Sequence, residues 1–310
     1  MRFEDVVESI GNTPLVGIHK LSPNPRVRIY AKLEGQNPTG SVKDRIARQM
    51  VEQAEAEGIL KPGARLLEPS SGNTGIALAM VARRRGYSLT VVMPENVSEE
   101  RRRLLEIFGA EVVLSPAEGG SNGGIKVAEE MAESGEFVML FQYANPNNPG
   151  AHYETTGPEI FRDCPEVGYF VAGLGTGGTL VGVGRYLKEQ NPEVQVVAVE
   201  PPSGELVQGL RSLDDGYIPP VFDPAILDRK FLIKAEESVV FTRLLTEKEG
   251  VFAGISCGAA IAGAVKLADQ IDSGTIVVLL PEGGWKYLST RAWTDPLDEV
   301  VKRMETMLYF

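Results

Sequence analysis

Short apolar or β-branched runs recur at Arg26–Leu33, Arg65–Glu68, Leu89–Met93, Glu111–Leu114, Tyr169–Ala172, Val194–Val199 and Thr275–Leu280. Between them lie helical patterns such as Asp44–Gly58, Thr74–Arg85 and Ser98–Phe108, the last closed by Gly109 as a C-cap. Nearly every run meets a turn containing Gly or Pro within a few residues. Strands that alternate with helices pair in parallel, because the helix provides the crossover that two parallel strands need. The predicted fold class is therefore α/β, with two doubly wound, mainly parallel-sheet domains. Breakers cluster at Asn145-Pro146-Asn147-Asn148-Pro149-Gly150, which places a smaller domain at 36–146 and a larger one at 1–35 plus 147–310, tail included. A second breaker-rich stretch, Pro201–Pro224, reads as a surface loop. With 310 residues and 43% hydrophobic composition, the chain can bury cores of that size. Ligands of such folds sit at strand C-termini, in the crevice between halves.

Several chemistries are poorly supplied. The net charge is −11 with scattered basic residues, so no basic face is expected for nucleic acid. No apolar run approaches membrane-spanning length, and the acidic start lacks a signal peptide's apolar core, which favours a cytoplasmic protein. Cys164 and Cys257 make no disulfide framework, and with only His19 and His152 beside them no metal site is expected. A Ser-His-Asp triad has few candidates. The chemistry requires an organic cofactor, unless the protein only binds.

Three turns after strands carry that chemistry. In Asn37-Pro38-Thr39-Gly40-Ser41-Val42-Lys43-Asp44-Arg45 a lone lysine opens a helix, in a backbone-rich setting that can keep its amine neutral and nucleophilic. Glu68-Pro69-Ser70-Ser71-Gly72-Asn73-Thr74-Gly75 offers N–H groups and hydroxyls at a helix start, suited to a carboxylate or phosphate, though an ordinary N-cap reads the same way. Gly173-Leu174-Gly175-Thr176-Gly177-Gly178-Thr179 makes a small phosphate cup. It also satisfies a dinucleotide fingerprint, with Glu200 ending the next strand. A small-residue turn, Gly254-Ile255-Ser256-Cys257-Gly258, allows a flat ring near the backbone. The dinucleotide reading leaves the lysine turn and the Ser-Ser-Gly-Asn-Thr turn without a role. Pyridoxal 5'-phosphate uses all of them.

From Ile10-Gly11-Asn12-Thr13-Pro14-Leu15 to Tyr287-Leu288-Ser289-Thr290 the chain strongly resembles the cysteine synthase branch of fold-type II pyridoxal-phosphate enzymes, whose fold is that of the tryptophan synthase β subunit. The resemblance implies that Lys43 carries the cofactor and moves the substrate's α-proton, and that Asn73 bonds the ring hydroxyl. It further implies that Gly175, Thr176, Gly177, Gly178 and Thr179 bind the phosphate. Ser70, Ser71, Thr74 and Gln142 would bind the amino acid's carboxylate and nearby groups. The implied reaction is a β-replacement in which the β-substituent leaves and a sulfur nucleophile adds, giving L-cysteine. One position departs from the family: Leu280-Pro281-Glu282-Gly283-Gly284-Trp285-Lys286-Tyr287 has no hydroxyl or thiol where the family often places one against the pyridine nitrogen. Ser256 is the substitute and Glu282 its rival.

Asn96–Arg102, Ala117–Asn122 and Gly283–Tyr287 resemble the B-type enzymes, notably those that use O-phospho-L-serine rather than O-acetyl-L-serine. In those relatives an arginine at the place of Arg211 contacts the substrate phosphate, and a guanidinium fork matches a phosphate dianion. The apolar end Met307-Leu308-Tyr309-Phe310 either packs on the body or a dimer mate or, as the resemblance to the phosphoserine users implies, enters the cleft and shields the reaction from water. The phosphoserine users take sulfur from a small carrier protein with a C-terminal thiocarboxylate, and free sulfide is the other donor. A homodimer is implied by the family alone. Cystathionine β-synthase, a serine/threonine dehydratase and a nicotinamide-dependent Rossmann protein are the rivals.

Overall fold

The computed structural model describes residues 2–70, 72–97 and 99–306. Its strands are β1 (Leu15–Gly17), β2 (Val27–Leu33), β3 (Arg65–Pro69), β4 (Ser88–Pro94), β5 (Glu111–Ser115), β6 (Val138–Met139), β7 (Tyr169–Gly173), β8 (Gln195–Glu200), β9 (Arg229–Leu232) and β10 (Gly274–Leu280). They form two sheets, a six-stranded one in the order β1-β2-β10-β7-β8-β9 and a four-stranded one in the order β5-β4-β3-β6. Every pairing is parallel except that of β1 with β2. The chain thus leaves the larger sheet after β2, builds the smaller one, and returns at β7. Residues 1, 71, 98 and 307–310 lie outside the described part, so Ser71 and the apolar end carry no structural statement.

Burial explains the sequence pattern. The central strands β7, β8 and β10 are almost wholly buried, as expected of parallel strands with helices on both faces. Ile255–Gln270 is apolar nearly all round and lies between the six-stranded sheet and the helix Ala235–Glu249. The smaller sheet is covered by Lys43–Ala56 and Asn73–Arg85 on one side and by Gly120–Ala132 on the other. The stretch Pro201–Pro224 differs from expectation. It is mostly irregular but not superficial: Val207, Gln208, Leu210 and Ser212 are buried, because the loop folds back over the ends of β7 and β8.

Candidate active site

The lysine turn is built before it is used. Thr39 donates its N–H to Asp44 Oδ2 at 2.7 Å, and its hydroxyl bonds the other oxygen of the same carboxylate. Gly40 takes φ +83°, and Val42 donates its N–H to the Pro281 carbonyl at 2.8 Å, sewing the turn to the end of β10. Three residues on, Arg45 meets Glu34 and Glu159 at 2.7 Å each, and Lys32 meets Glu159 at 2.7 Å. Burial alone raises the Glu159 carboxyl, yet Arg45 and Lys32 hold it down to about 2. Lys43 therefore starts a helix whose first turn is fixed at both ends. Loss of hydration pulls its amine below the usual lysine range, against the attraction of Glu282.

The second turn supplies the cup. After β7 the chain passes Gly175 and Thr176 to Gly177, at φ +84°, and enters the helix Gly178–Gln190. A side chain at Gly177 would place Cβ 2.3 Å from Phe222, and one at Gly178 would place it 2.0 Å from Asn148 Oδ1. Only glycine lets the turn take this path with its walls closed, and the Gly178 N–H donates to Thr176 Oγ1 at 3.3 Å. Thr176 Oγ1 accepts from Asn148 Nδ2 at 3.0 Å, and Thr179 Oγ1 lies 3.2 Å from His152 Nε2. His152 is buried and held neutral, by loss of hydration first and by Lys43 and Arg45 second.

The third turn follows β3. Ser70 Oγ accepts from the N–H groups of Gly72 (3.3 Å) and Gly75 (3.1 Å), so it caps its own helix while lining the cleft. Thr74 donates to Gln142 Oε1 at 2.7 Å. Asn73 is clamped at both ends: Lys286 Nζ donates to its Oδ1 at 2.5 Å, and its Nδ2 donates to Glu282 Oε2 at 2.6 Å. An ammonium only donates and a carboxylate accepts, so the amide cannot turn over.

These elements enclose one open cleft of about 700 Å³ at the C-terminal ends of both sheets. Lys43, Asn73, Thr74, Gln142, Arg211 and Ser256 all line it, as do Ser70, Gly175 and Thr176. Gly177 and Thr179 line its inner continuation beside Lys43. Arg211 stands with its guanidinium carbon 4.8 Å from the Tyr217 ring centre and 5.7 Å from that of Tyr143. Glu282 is engaged by Asn73 and by the Tyr287 hydroxyl, and Arg101 Nη2 donates to that hydroxyl at 3.1 Å. Among the described residues there is no cluster of metal-ligating side chains. Glu200, the acidic end of the dinucleotide fingerprint, is buried with its oxygens on Lys230 at 2.6 Å and the Leu213 N–H at 3.2 Å.

A family description, pyridoxal-phosphate dependent enzyme, matches residues 6–282. The chain is 43% identical to cysteine synthase B of Salmonella typhimurium over 284 residues, 91% of this chain and 94% of that protein. The chain belongs to the cysteine synthase family of pyridoxal-phosphate dependent enzymes. The crystal structure of an O-ureido-L-serine synthase matches at a TM-score of 0.90 and 40% identity, over 95% of this chain and 97% of that one. The cysteine synthase of Entamoeba histolytica matches at 0.89 and 33% identity, over 98% and 96%. Family membership removes the nicotinamide reading of the glycine turn.

The residues suit the family's cofactor. A glycine turn at a helix N-terminus suits a phosphate, a poorly hydrated lysine amine faces the cleft, and the Asn73 amide is fixed by its two partners. Several members of this cysteine synthase site were not singled out from sequence: Arg101, Asn148, His152, Lys286 and Tyr287. The spacing of Arg101 and Leu105, the two buried residues of the helix Glu99–Ile107, was the one readable signal.

Proposed function

We propose that this cysteine synthase family member forms L-cysteine by β-replacement on an O-activated L-serine, with O-phospho-L-serine preferred over O-acetyl-L-serine. The observation that carries the preference is Arg211, a guanidinium on the cleft wall braced by two tyrosine rings. A fork that is always charged, and held by aromatic faces, binds a phosphate dianion better than a neutral ester. In this reading Lys43 holds the cofactor and moves the α-proton through Nζ. Asn73 bonds the ring hydroxyl. Gly175–Thr179 bind the phosphate, and Ser70, Thr74 and Gln142 take the α-carboxylate, with Ser71 assigned beside them by resemblance. Bound pyridoxal phosphate supplies the electron sink for the α-carbon.

Ser256 is the proposed partner of the pyridine nitrogen, supported by Glu282 being taken up by Asn73 and Tyr287. A Ser256→Ala protein with an unchanged cofactor spectrum and normal turnover would remove that role. The division at 36–146 belongs to the same proposal and is supported by the smaller sheet lying within it. So do a cytoplasmic homodimer and sulfur delivery as sulfide or as a carrier-protein thiocarboxylate. The deciding test is steady-state turnover of the wild type and Arg211→Ala on both esters. Arg211→Ala is expected to lose about 100-fold in kcat/KM on phosphoserine, the size of a charge-assisted contact, and about threefold or less on acetylserine. Equal losses would refute the preference.

A further inference from the structure

Glu68 is the penultimate residue of β3, two residues before Ser70, and it has no exposed surface. Among the described residues no cation pairs with its carboxylate; its oxygens are taken by two main-chain donors, Phe141 N–H to Oε2 at 2.8 Å and Gln142 N–H to Oε1 at 3.0 Å. The same contact holds a second unfavourable feature, because Phe141 sits at φ +55°, where a bulky residue is strained. A buried carboxylate without a countercharge and a strained backbone are both selected against unless something requires them. Here they meet at one point, and that point sets Gln142.

What Gln142 touches shows the use. Its Oε1 accepts from Thr74, on the helix that continues from Glu68's own strand, at 2.7 Å. Its carbonyl accepts from Asn148 Nδ2 at 2.9 Å, and the same amide donates to Thr176 in the phosphate cup at 3.0 Å. One side chain thereby ties the strand that bears the Ser70–Thr74 turn to the loop that faces it. We propose that Glu68 is a positioning residue of the substrate-carboxylate subsite, clamping the Phe141–Gln142 turn so that the Gln142 amide stands opposite Thr74. This rests on the reading of Ser70, Thr74 and Gln142 as the carboxylate subsite. The two N–H groups reach different oxygens, Oε2 and Oε1, and a carboxylate presents both as acceptors with no donor between them. Glutamine has nearly the same shape but turns an NH2 toward one of them.

The test uses holoenzyme and L-alanine, which has the α-carboxylate and no leaving group. Its dissociation constant is read from the change in cofactor absorbance. Glu68→Gln is expected to weaken L-alanine about 20-fold, the loss of one charge-assisted hydrogen bond, with cofactor affinity within about twofold. The KM for phosphoserine rises in parallel while kcat stays within about threefold, and amide exchange across residues 138–145 speeds up. An unchanged L-alanine constant overturns the proposal, as does a loss of cofactor equal to the loss of L-alanine. If Glu68→Gln does not fold, Glu68→Asp keeps both acceptors but draws them back by one methylene. It is expected to weaken L-alanine about fivefold with the cofactor retained, and no weakening overturns the clamp. A wild type that ignores L-alanine removes the subsite reading instead; the clamp then stands or falls on the exchange rates across 138–145.

Discussion

The proposed phosphate cup at Gly175–Thr179 and the proposed substrate turn at Ser70–Thr74 have the same plan, strand to glycine-bearing turn to helix N-terminus, yet they are held differently. In the cup, the glycines are forced by packing: Gly177 is left-handed with Phe222 against it, and Gly178 has Asn148 where a Cβ would stand. In the substrate turn, an added Cβ at Gly72 would meet nothing within 4 Å, and order comes from polar contacts through Ser70, Thr74 and Gln142. Close packing gives a steep, short-ranged restraint, while hydrogen bonds can exchange partners at little net cost. A site that keeps its cofactor but releases its amino acid each cycle needs one of each.

The largest expected effect breaks the cup. Gly177→Ala adds a Cβ in a left-handed position against Phe222 and is expected to weaken cofactor retention at least about 100-fold, checked by absorbance after gel filtration. Retention like the wild type's would show that packing does not hold the cup. A smaller effect comes from pH. Burial pushes the Glu68 carboxyl up to about 7, against the two N–H bonds it accepts, and a protonated oxygen no longer accepts one of them. Tyr143 faces this carboxyl, and the charged Arg211 stands beyond it over the Tyr143 ring. L-Alanine affinity of the wild type should therefore fall about fivefold more between pH 8 and 6 than that of Glu68→Gln. Cofactor retention should stay flat over that range, since His152 beside Thr179 is already neutral.

For folding, the same shift acts in the other direction. With its folded pKa at about 7 and the ordinary value at 4.5, Glu68 makes the protein less stable as pH rises between the two, and the cost is constant above them. The smallest expected effect is that of Gly72→Ala. With open space at its Cβ, it should change cofactor retention by less than about twofold and substrate KM by less than about fivefold, measured in the same assays. A collapse as large as that of Gly177→Ala would erase the contrast between the two turns.

Much of the frame was legible because it is local. The runs that became β2, β3, β4, β5, β7, β8 and β10 carry their own period and breakers, and Lys43 starts its helix as the turn predicts. The short strands β1, β6 and β9 were not legible: they span two to four residues and are strands only because a neighbour pairs with them. Gly120–Ala132 is not among the helical patterns singled out from sequence, since Gly120, Gly123 and Gly124 disfavour a helix that packing against the smaller sheet nevertheless holds. Pro201–Pro224 read as surface for the same kind of reason. Its lack of periodicity is real, but Val207 and Leu210 are buried by tertiary contacts that the local pattern does not encode.

By itself the sequence determined the alternating frame, the lysine at a helix start, the glycine cup and the hydroxyl-rich turn, because each is a matter of a few adjacent residues. The tertiary structure alone decided what those turns face. Asn73 is oriented by Glu282 and Lys286, 209 and 213 positions away, and Gln142 by Glu68, 74 positions away. A residue's type states which hydrogen bonds it can make, but only the folded chain brings the distant partner that makes them. That is why Glu282, read from sequence as a candidate for the pyridine nitrogen, turns out to be occupied in holding Asn73 and Tyr287.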